Sequence, residues 1–490
     1  MIEWEPFRSF GPIIDITNPA MLAPPFGSTQ ALVLQYTGFH ATQELATFAI
    51  WNRAANLSEF EEGLERFDVG SQNWAYADRD GNLAYFTSAE LPLRSDLEQG
   101  AVAGLPPFFV RDGSSGANNW VPDPAHSQGQ TIPFAVLPAE EMPHTVNPEN
   151  GFFVNANNDP AGTTLDNDPL NQVRVSSASA IYYLNPGYAN GLRAGRITRL
   201  IQGELTAGGT VSTQEMKRFQ ANTQQLDAEL LVPSLLAAFA NASDPGAPAE
   251  LAALAGDAAV AEAIGRLETW DFSSPTGLEA GYDARDVNGT RGNLSGAAGQ
   301  QEIAASVAAT IYNLWRGFAV RGIVDARLAD FGPGAGSTEA LTALHHLLGE
   351  EPYTGNAAAG FAWLTDPVAL TAEQRRDVAL LQALRDALDA LASAAFAPAF
   401  ASSTNQDDYR WGKLHRIVFD HAFDASFSIP PQADFEDLAP GLPGLSRDGG
   451  YEVVNASGFS ARSISLNGFM FGGGPVRRWS DAPRPTRSSG

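Results

Sequence analysis

Apolar residues recur at helical spacing soon after the first part of the chain. Leu45, Phe48 and Trp51 follow one another three residues apart, which places them on one face of an α-helix. Residues 1–40, in contrast, hold short apolar runs separated by Pro and Gly, a pattern typical of short strands. The spacing therefore predicts a change from strands to helix near residue 41.

Two capping-box patterns mark predicted helix starts. Ser58 and Glu61 precede one apolar helical run, and Thr371 and Gln374 precede another. In such a box the Ser or Thr side chain and the Glu or Gln side chain each accept a hydrogen bond from the other residue's backbone N–H. Both pairs predict that a helix begins at that point.

Two runs rich in aromatic residues flank the dipeptide Asp80-Gly81. Asp-Gly is typical of a β-hairpin turn, and alternation places Trp74 and Tyr76 on one face of a strand. These features predict a hairpin. A further strand is predicted at 151–156, where aromatic and branched residues precede an Asn-rich run.

The apolar patterns predict three parts and a tail. Residues 1–190 are expected to form a body of strands, hairpin and Asn-bearing strand, and 191–400 a mainly helical region. Residues 401–479 return to strands of the body, and 480–490 form a disordered tail. The order mixed, helical, mixed indicates an α+β fold with a large helical insertion.

Composition excludes several classes of function. Thirty Lys and Arg residues against 56 Asp and Glu give a net charge of −26, which argues against nucleic acid or an anionic membrane as a main partner. The chain has no cysteine, so thiolate catalysis, disulfides and Cys-ligated metals are excluded. The start MIEWEPFRSF shows no secretory-signal pattern, and no later apolar run is long enough to span a bilayer.

The seven histidines do not predict a catalytic triad, because none lies near a G-x-S-x-G motif. His345 and His346 are adjacent, so on a helix they point about 100° apart and are predicted as helix-surface residues rather than a metal pair. His415 and His421 are predicted to be core or hydrogen-bonding residues. The glycines at 472–474 lack the Lys-Ser/Thr of a phosphate loop and are expected to serve backbone turning.

Asn155, Asn157 and Asn158 stand at the end of the predicted strand. Asparagine favours turns, so one interpretation is a strand stop. The other is that a carboxamide donates a hydrogen bond to a developing oxyanion in acyl transfer. The residues alone favour the strand stop, because polar clusters usually mark loops.

Five segments, in the same order, resemble motifs of the penicillin acylase (penicillin amidase) family of N-terminal-nucleophile (Ntn) hydrolases. They are SQNWAYADRDGNLAYFTSAELPLR, NPENGFFVNANNDP, ETWDFSS, YRWGKLHRIVFDH and GFMFGGGPVRRW. Each segment alone is a modest signal, but their common order over most of residues 9–479 is a strong one. The resemblance implies a partial αββα sandwich of the Ntn-hydrolase type with a helical insertion.

The resemblance also implies roles for individual residues. In this family a serine at the amino terminus of a processed β chain attacks the amide carbonyl, and its own α-amino group is the base. Matching the motifs assigns oxyanion stabilisation to Asn157, with Asn158 as the neighbouring candidate, and a supporting role to Arg193. Asp168 matches an acidic position that binds a structural calcium ion in some members, although one carboxylate does not make a calcium site. The reaction itself requires no cofactor.

The implied activity is hydrolysis of an amide bond in a small N-acylated substrate, of the β-lactam, acyl-homoserine lactone or lipopeptide type. The alternative is a non-catalytic protein of the same fold that keeps an acyl-binding pocket. Family members are generally exported to the periplasm or beyond, so that location is expected here.

The chain departs from the family pattern in its first residues. The family's α chain and the β-chain start with its serine are expected before the part that begins here near FGPII, and Phe10 stands where the family usually has His. We therefore expect a β-chain fragment, inactive and poorly soluble alone, with those segments as its structural partners. Gly70-Ser71 and Gly113-Ser114 have the Gly-Ser form that autoproteolysis favours. The position of Gly113-Ser114, between the hairpin and the Asn-bearing strand, argues against processing there.

Overall fold

The computed structural model describes residues 11–14, 32–125, 131–279, 281, 283, 298–329, 336–349, 353–356, 361–419, 421, 423–428, 442, 444–455, 460–465 and 470–472. The predicted tail 480–490, Phe10 and the glycines at 473–474 lie outside these residues. The chain forms two compact units, Met1–Ala189 and Asn190–Gly490.

The first unit combines short helices with small antiparallel sheets. Its strands and α-helices are β1 (Ile13–Ile14), β2 (Leu32–Val33), α1 (Glu44–Trp51), α2 (Leu57–Leu64), β3 (Gln72–Ala77), β4 (Leu83–Ser88), α3 (Ser95–Glu98) and β5 (His144–Val146). β1 pairs with β2, and β4 lies between β3 and β5 in a three-stranded sheet. In the described part of the chain, the predicted early strands, first helices and hairpin are confirmed.

The hairpin turn is organised by the carboxylate of Asp78. This carboxylate accepts hydrogen bonds from the backbone N–H groups of Asp80 and Asn82, both at 2.9 Å. Gly81 adopts a φ of +94°, in the left-handed region that glycine tolerates. The loop therefore spans residues 78–82 instead of the two residues of an Asp-Gly turn.

The N-terminus of α2 differs from its prediction. Asn56 is the N-cap, and its side chain accepts a hydrogen bond from the N–H of Glu59 at 3.0 Å. The Glu59 carboxylate in turn accepts one from the N–H of Ala55 at 2.8 Å. The capping box predicted at Ser58 and Glu61 is wrong, because Ser58 already lies inside the helix.

An aromatic cluster joins the two helices to the sheet. The indole of Trp51 in α1 stacks on the ring of Phe60 in α2, with ring centroids 4.6 Å apart. The same indole meets Trp74 of β3 edge to face, at 4.5 Å. Aromatic pairs of this kind stabilise beyond the area they bury, so Trp51 fixes both helices against the hairpin.

The strand predicted at 151–156 is absent from the structure. Phe153 and Val154 make no backbone hydrogen bond within the described residues, and only Asn158 forms an isolated parallel bridge, with Ala189. Aromatic and branched residues favour extended backbone, but a strand also needs a partner. Here the extended segment has none among the described residues.

The second unit is mainly helical. Its elements are α4 (Leu192–Thr206), α5 (Thr213–Gln220), α6 (Leu226–Ala242), α7 (Ala249–Ala255), α8 (Ala258–Glu268), α9 (Gln300–Ala319), a π-helical turn (Val320–Asp325), α10 (Ala326–Leu328), α11 (Ser337–Leu348), α12 (Ala372–Leu391), α13 (Ala397–Phe400), α14 (Trp411–Leu414), β6 (Arg416–Val418), β7 (Leu445–Ser446) and β8 (Met470–Gly472). β6 pairs antiparallel with β7 and parallel with β8.

Helix α9 lies in the core of the second unit. Trp315 is fully buried, and its indole N–H donates to the carbonyl oxygen of Leu380 in α12 at 3.1 Å. The next residue, Arg316, is buried as well and pairs with Asp227 of α6 at 2.5 Å. The capping box predicted at Thr371 is confirmed at the start of α12.

The mixture of helices and small sheets confirms the predicted α+β class. The described residues of 401–479 belong to the second unit together with the helices of 191–400. Their predicted role as returning strands of the first body stays a prediction.

Candidate active site

The Asn-rich run borders a cleft in the first unit. The cleft has a volume of about 180 Å³ and is lined by Tyr85, His144, Thr145, Phe153, Val154, Asn155, Asn158, Asp159 and Pro160. Tyr85 comes from β4, and His144 and Thr145 come from β5. The sheet thus supplies one wall, and the extended segment after Gly151 supplies the other.

Asn157 lies outside this cleft because of its backbone conformation. It adopts a φ of +62°, in the left-handed region that Asn enters more readily than most residues. Its side chain is exposed, and its carbonyl oxygen accepts a hydrogen bond from the N–H of Ala189 at 2.9 Å. The turn therefore separates the Asn157 carboxamide from those of Asn155 and Asn158, which line the cleft.

The segment after the Asn run is held by Asp159. Its carboxylate accepts hydrogen bonds from the N–H groups of Ala161, Gly162 and Thr164, at 2.7 to 2.9 Å. The hydroxyl of Thr164 donates to the same carboxylate at 2.8 Å. These bonds occupy the carboxylate with its own loop, and they fix the end of the cleft wall.

Tyr85 lines the cleft, and two further phenols, those of Tyr182 and Tyr188, interact electrostatically with Asp159 of its lining. Burial raises the pKa of the Tyr85 hydroxyl. Burial, followed by the charges of Glu141 and Asp159, raises the pKa of Tyr182 to about 12. Burial likewise raises the pKa of Tyr188 well above its usual value. All three phenols therefore stay protonated at neutral pH and act as neutral polar groups.

Arg193 lies in the second unit, near the N-terminus of α4. Its Nε donates to the carboxylate of Glu452 at 3.0 Å, and both side chains are largely buried. Glu452 has a φ of +54°, which is unfavourable for a residue other than Gly, Asn or Asp. The preceding residue is Tyr451, and the centre of its ring lies 5.4 Å from the guanidinium of Arg316. This contact helps to hold the backbone turn at Glu452.

A protein-family model described as Penicillin amidase matches residues 7–488. The chain belongs to the penicillin amidase family. The predicted resemblance is confirmed, and the α+β fold is compatible with that of this family. By membership the chain is an acylase-type amidohydrolase, a class of hydrolases that act on amide bonds.

One of the motifs that resemble the penicillin amidase family, the segment with Trp411 and Gly412, lies in the core of the second unit. The backbone N–H of Trp411 donates to the hydroxyl of Ser306, which donates in turn to the carbonyl oxygen of Thr276. The N–H of Gly412 donates to the same carbonyl oxygen at 3.0 Å. The indole N–H of Trp411 reaches the carbonyl oxygen of Gly449 at 2.8 Å. These motif residues have a structural role, since they tie loops to helix α9.

His415 is buried, as predicted, and makes a hydrogen bond to the carbonyl oxygen of Arg447 at 2.8 Å. Because a carbonyl oxygen only accepts, Nδ1 carries the proton. His421 is exposed and contacts the rings of Phe423 and Phe427. Neither residue joins a cluster of metal-ligating side chains in the described part of the chain.

Asp168, the predicted calcium position, is exposed. Its carboxylate accepts a hydrogen bond from the N–H of Leu170 at 3.1 Å, and its own N–H donates to Asp166. No group of three or more His, Asp or Glu side chains suited to a metal occurs among the described residues. This arrangement does not fit the six to eight oxygen ligands that calcium takes, and calcium at Asp168 stays a prediction.

The two predicted catalytic side chains belong to different units, Asn157 to the first and Arg193 to the second. Their roles in the penicillin amidase reaction stay predictions. The cleft residues Tyr85 and Phe153 were not predicted as site residues. Side-chain alternation along a strand puts Tyr85 on one face of the hairpin, but it cannot indicate that this face borders a cleft.

Within the described residues, no helix combines the length and the apolar character needed to cross a membrane.

Proposed function

We propose that this chain is the β-chain body of an amidohydrolase that cleaves a small N-acylated substrate of the β-lactam, acyl-homoserine lactone or lipopeptide type. The family match over residues 7–488 carries the proposal. The cleft beside the Asn run supports it, because aromatic walls and carboxamides suit a small organic ligand. The net charge of −26 disfavours nucleic acid as a partner.

The proposed reaction follows the chemistry of an N-terminal serine. The serine hydroxyl attacks the carbonyl carbon, and the serine's own α-amino group takes the proton. The carbonyl oxygen becomes negative in the tetrahedral intermediate, so it needs hydrogen-bond donors. The amine then leaves with the proton, and water hydrolyses the acyl ester. This chemistry needs no cofactor.

Asn157 is proposed as one of the oxyanion donors, and Arg193 as a residue that supports the site. A donor of this kind works best when its position is fixed before the reaction. The backbone of Asn157 is fixed by its bond from Ala189 and by the neighbouring bridge of Asn158. Its exposed side chain is accessible to a reacting group that approaches the turn.

We also propose that activity needs the family's α chain and β-chain start, which carry the serine. Exposed apolar side chains of the first unit support such a partner. Phe39 is 52% exposed, Leu45 is 85% exposed and Phe109 is 57% exposed, and exposed apolar groups often mark interaction surfaces. A periplasmic or extracellular location, general in the family, is part of this proposal.

The test is amine release from acyl amides of a chromogenic amine, with phenylacetyl and octanoyl groups as the acyl part. The chain is assayed alone and after co-expression with the serine-bearing segments of a family member. We expect turnover from the co-expressed protein and none from the chain alone. Saturable binding of the acyl compounds without amine release from either sample would instead support the non-catalytic acyl-binding protein.

A further inference from the structure

Two carboxamide side chains that line the cleft in the first unit have N–H₂ groups with unused hydrogen-bonding capacity. The Nδ2 of Asn155 donates to the Tyr85 hydroxyl at 3.4 Å, and the Nδ2 of Asn158 donates to the carbonyl oxygen of Asp159 at 3.4 Å. Both distances exceed the usual range of about 2.7–3.2 Å. Each amide nitrogen carries two N–H donors, so both groups can donate to a ligand in the cleft.

The orientation of these carboxamides is set by the backbone. The Oδ1 of Asn158 accepts a hydrogen bond from the N–H of Ala156 at 3.0 Å, and the Oδ1 of Asn155 accepts one from the N–H of Asn157 at 3.4 Å. The oxygen end of each side chain therefore faces a backbone N–H, closely at Asn158 and over a longer distance at Asn155. The nitrogen end is the one left for a ligand, so the cleft offers donors to a carbonyl oxygen.

His144 supplies the complementary group. Its Nδ1 lies 2.8 Å from the carbonyl oxygen of Met142, which only accepts, so Nδ1 carries the proton. In the neutral imidazole Nε2 is then an acceptor. The lining of the cleft therefore combines donors for a carbonyl oxygen with an acceptor for an amide N–H.

The charge around the cleft favours a neutral ligand. Among the described residues that line it there is no Lys or Arg, and Asp159 contributes a carboxylate. A ligand carboxylate would be partly desolvated beside a like charge and without a cation, which is costly. A neutral amide has the same shape and its carbonyl oxygen can accept the same hydrogen bonds, but it meets no such repulsion.

The apolar wall limits the size of the ligand. The rings of Tyr85 and Phe153 lie 5.7 Å apart at an angle of 46°, and the cleft volume is about 180 Å³. A dry protein cavity of about 150 Å³ is enough to hold benzene. The cleft thus has room for one ring-sized or short apolar group with an amide attached.

We infer that this cleft is a recognition site for a neutral carboxamide, in which Asn155 and Asn158 donate to the carbonyl oxygen, and that it discriminates against the free carboxylate. The inference rests on the proposed function for its substrate class. The recognised carboxamide is a group of the substrate other than the reacting amide, whose carbonyl oxygen is assigned to Asn157 outside the cleft.

The first experiment compares benzamide and benzoate, two ligands of matched shape, on the unmodified full chain at about pH 7.5. Isothermal titration and ligand-observed NMR both report binding without turnover. We expect benzamide to saturate with an affinity at least tenfold above that of benzoate, a difference of about 1.4 kcal/mol. Equal or tighter binding of benzoate, or no saturable binding of benzamide, would overturn the inference.

The second experiment locates the site by substitution. Asn155→Asp and Asn158→Asp keep the oxygen that accepts from the backbone, but they replace the N–H₂ donors by a charge. Asn150→Asp is the matched control, because the Asn150 Oδ1 also accepts from the N–H two residues on, Phe152, at 3.4 Å and the side chain lies outside the cleft. We expect at least tenfold weaker benzamide binding for the first two variants and unchanged binding for the control.

Melting temperatures of the three variants identify any loss of fold, and the comparison of ligands on the unmodified chain needs no variant. Similar affinity in all three variants would refute the assignment of the donors. Amide binding without any hydrolysis in the co-expressed protein would leave this inference intact and contradict the proposed function. Hydrolysis by the co-expressed protein, together with equal binding of benzamide and benzoate, would support the proposed function and contradict this inference.

Discussion

The imidazole of His415 lies parallel to the indole of Trp411, with ring centroids 5.0 Å apart and an angle of 8° between the planes. This contact belongs to the group of motif residues that ties α14 to the core of the second unit. Burial lowers the pKa of His415 from 6.5 to about 3. The folded protein therefore holds this ring neutral, whereas the unfolded chain protonates it below about pH 6.5.

His415 is expected to make the second unit less stable in acid. Its stabilising contribution is complete above pH 6.5 and is lost as the pH falls towards 3, because only the unfolded chain binds the proton. This residue should lower the free energy of unfolding by on the order of 2 kcal/mol between pH 7 and pH 5. Urea unfolding over that range measures the slope of the unfolding free energy against pH. His415→Asn should flatten it, and His346→Asn, an exposed control on α11, should not. An unchanged slope in His415→Asn would contradict the account.

Asp68 should give the first unit the opposite pH dependence. Burial raises the pKa of Asp68 to about 6, and repulsion from Glu90 and Glu44 adds to this effect. The hydrogen bond from the N–H of Gln43 lowers the pKa but does not outweigh them. Its stabilising contribution is therefore present below pH 3.8 and is lost as the pH rises through 6.

Asp68→Asn keeps an acceptor for the N–H of Gln43 and removes the charge. We expect it to stabilise the first unit by on the order of 1–2 kcal/mol at pH 8, with little effect at pH 4. Hydrogen exchange of the Gln43 amide reports this locally, and Asp80→Asn on the exposed hairpin loop is the control. Faster exchange in Asp68→Asn at pH 8 would show that the pKa is not raised.

Two substitutions at the N-terminus of α2 test which residue caps this helix. Asn56→Ala removes the side chain that accepts from the N–H of Glu59 and should cost about 1 kcal/mol. Ser58→Ala changes an exposed residue inside the helix and should stay within about 0.5 kcal/mol. Thermal unfolding of both variants distinguishes the observed cap from the one expected from sequence. A larger loss for Ser58→Ala would reverse that assignment.

Gly412 is expected to tolerate no side chain. A Cβ at this position would lie 2.7 Å from the Cβ of Thr276 and 3.0 Å from Leu278, so Gly412→Ala should destabilise the second unit by about 1–3 kcal/mol. In the middle of α8, a Cβ at Gly265 would meet no atom within 4 Å, and Gly265→Ala should stabilise by about 0.5–1 kcal/mol. Urea midpoints measure both changes, and a neutral Gly412→Ala would contradict this packing.

Elements with strong local signals could be predicted from the sequence. The N-cap of helix α12 is Thr371, where side chain and backbone form the expected box, and this could be predicted because capping depends on residues only three apart. The hairpin β3–β4 also followed from local alternation. Its turn did not, since the carboxylate of Asp78 closes a longer loop than Asp-Gly alone suggests.

The candidate site depended on longer-range structure. A strand at 151–156 requires a neighbouring strand, which the local sequence pattern cannot indicate. The left-handed backbone of Asn157 leaves the carboxamides of Asn155 and Asn158 in the cleft and that of Asn157 outside it. The resemblance indicated the Asn run but not this division among its members. Tyr85 and Phe153 come together only in the folded chain, from segments far apart in sequence.

The most direct test of the proposed function is the turnover number of the co-expressed protein with and without the Asn157 carboxamide. Loss of one oxyanion donor typically lowers kcat by about 10²–10³-fold. We predict a loss of this size for Asn157→Ala with KM little changed, and an unchanged kcat for Asn150→Ala, an exposed residue of the same segment. Equal kcat values for the Asn157→Ala variant and the unmodified protein would contradict the account.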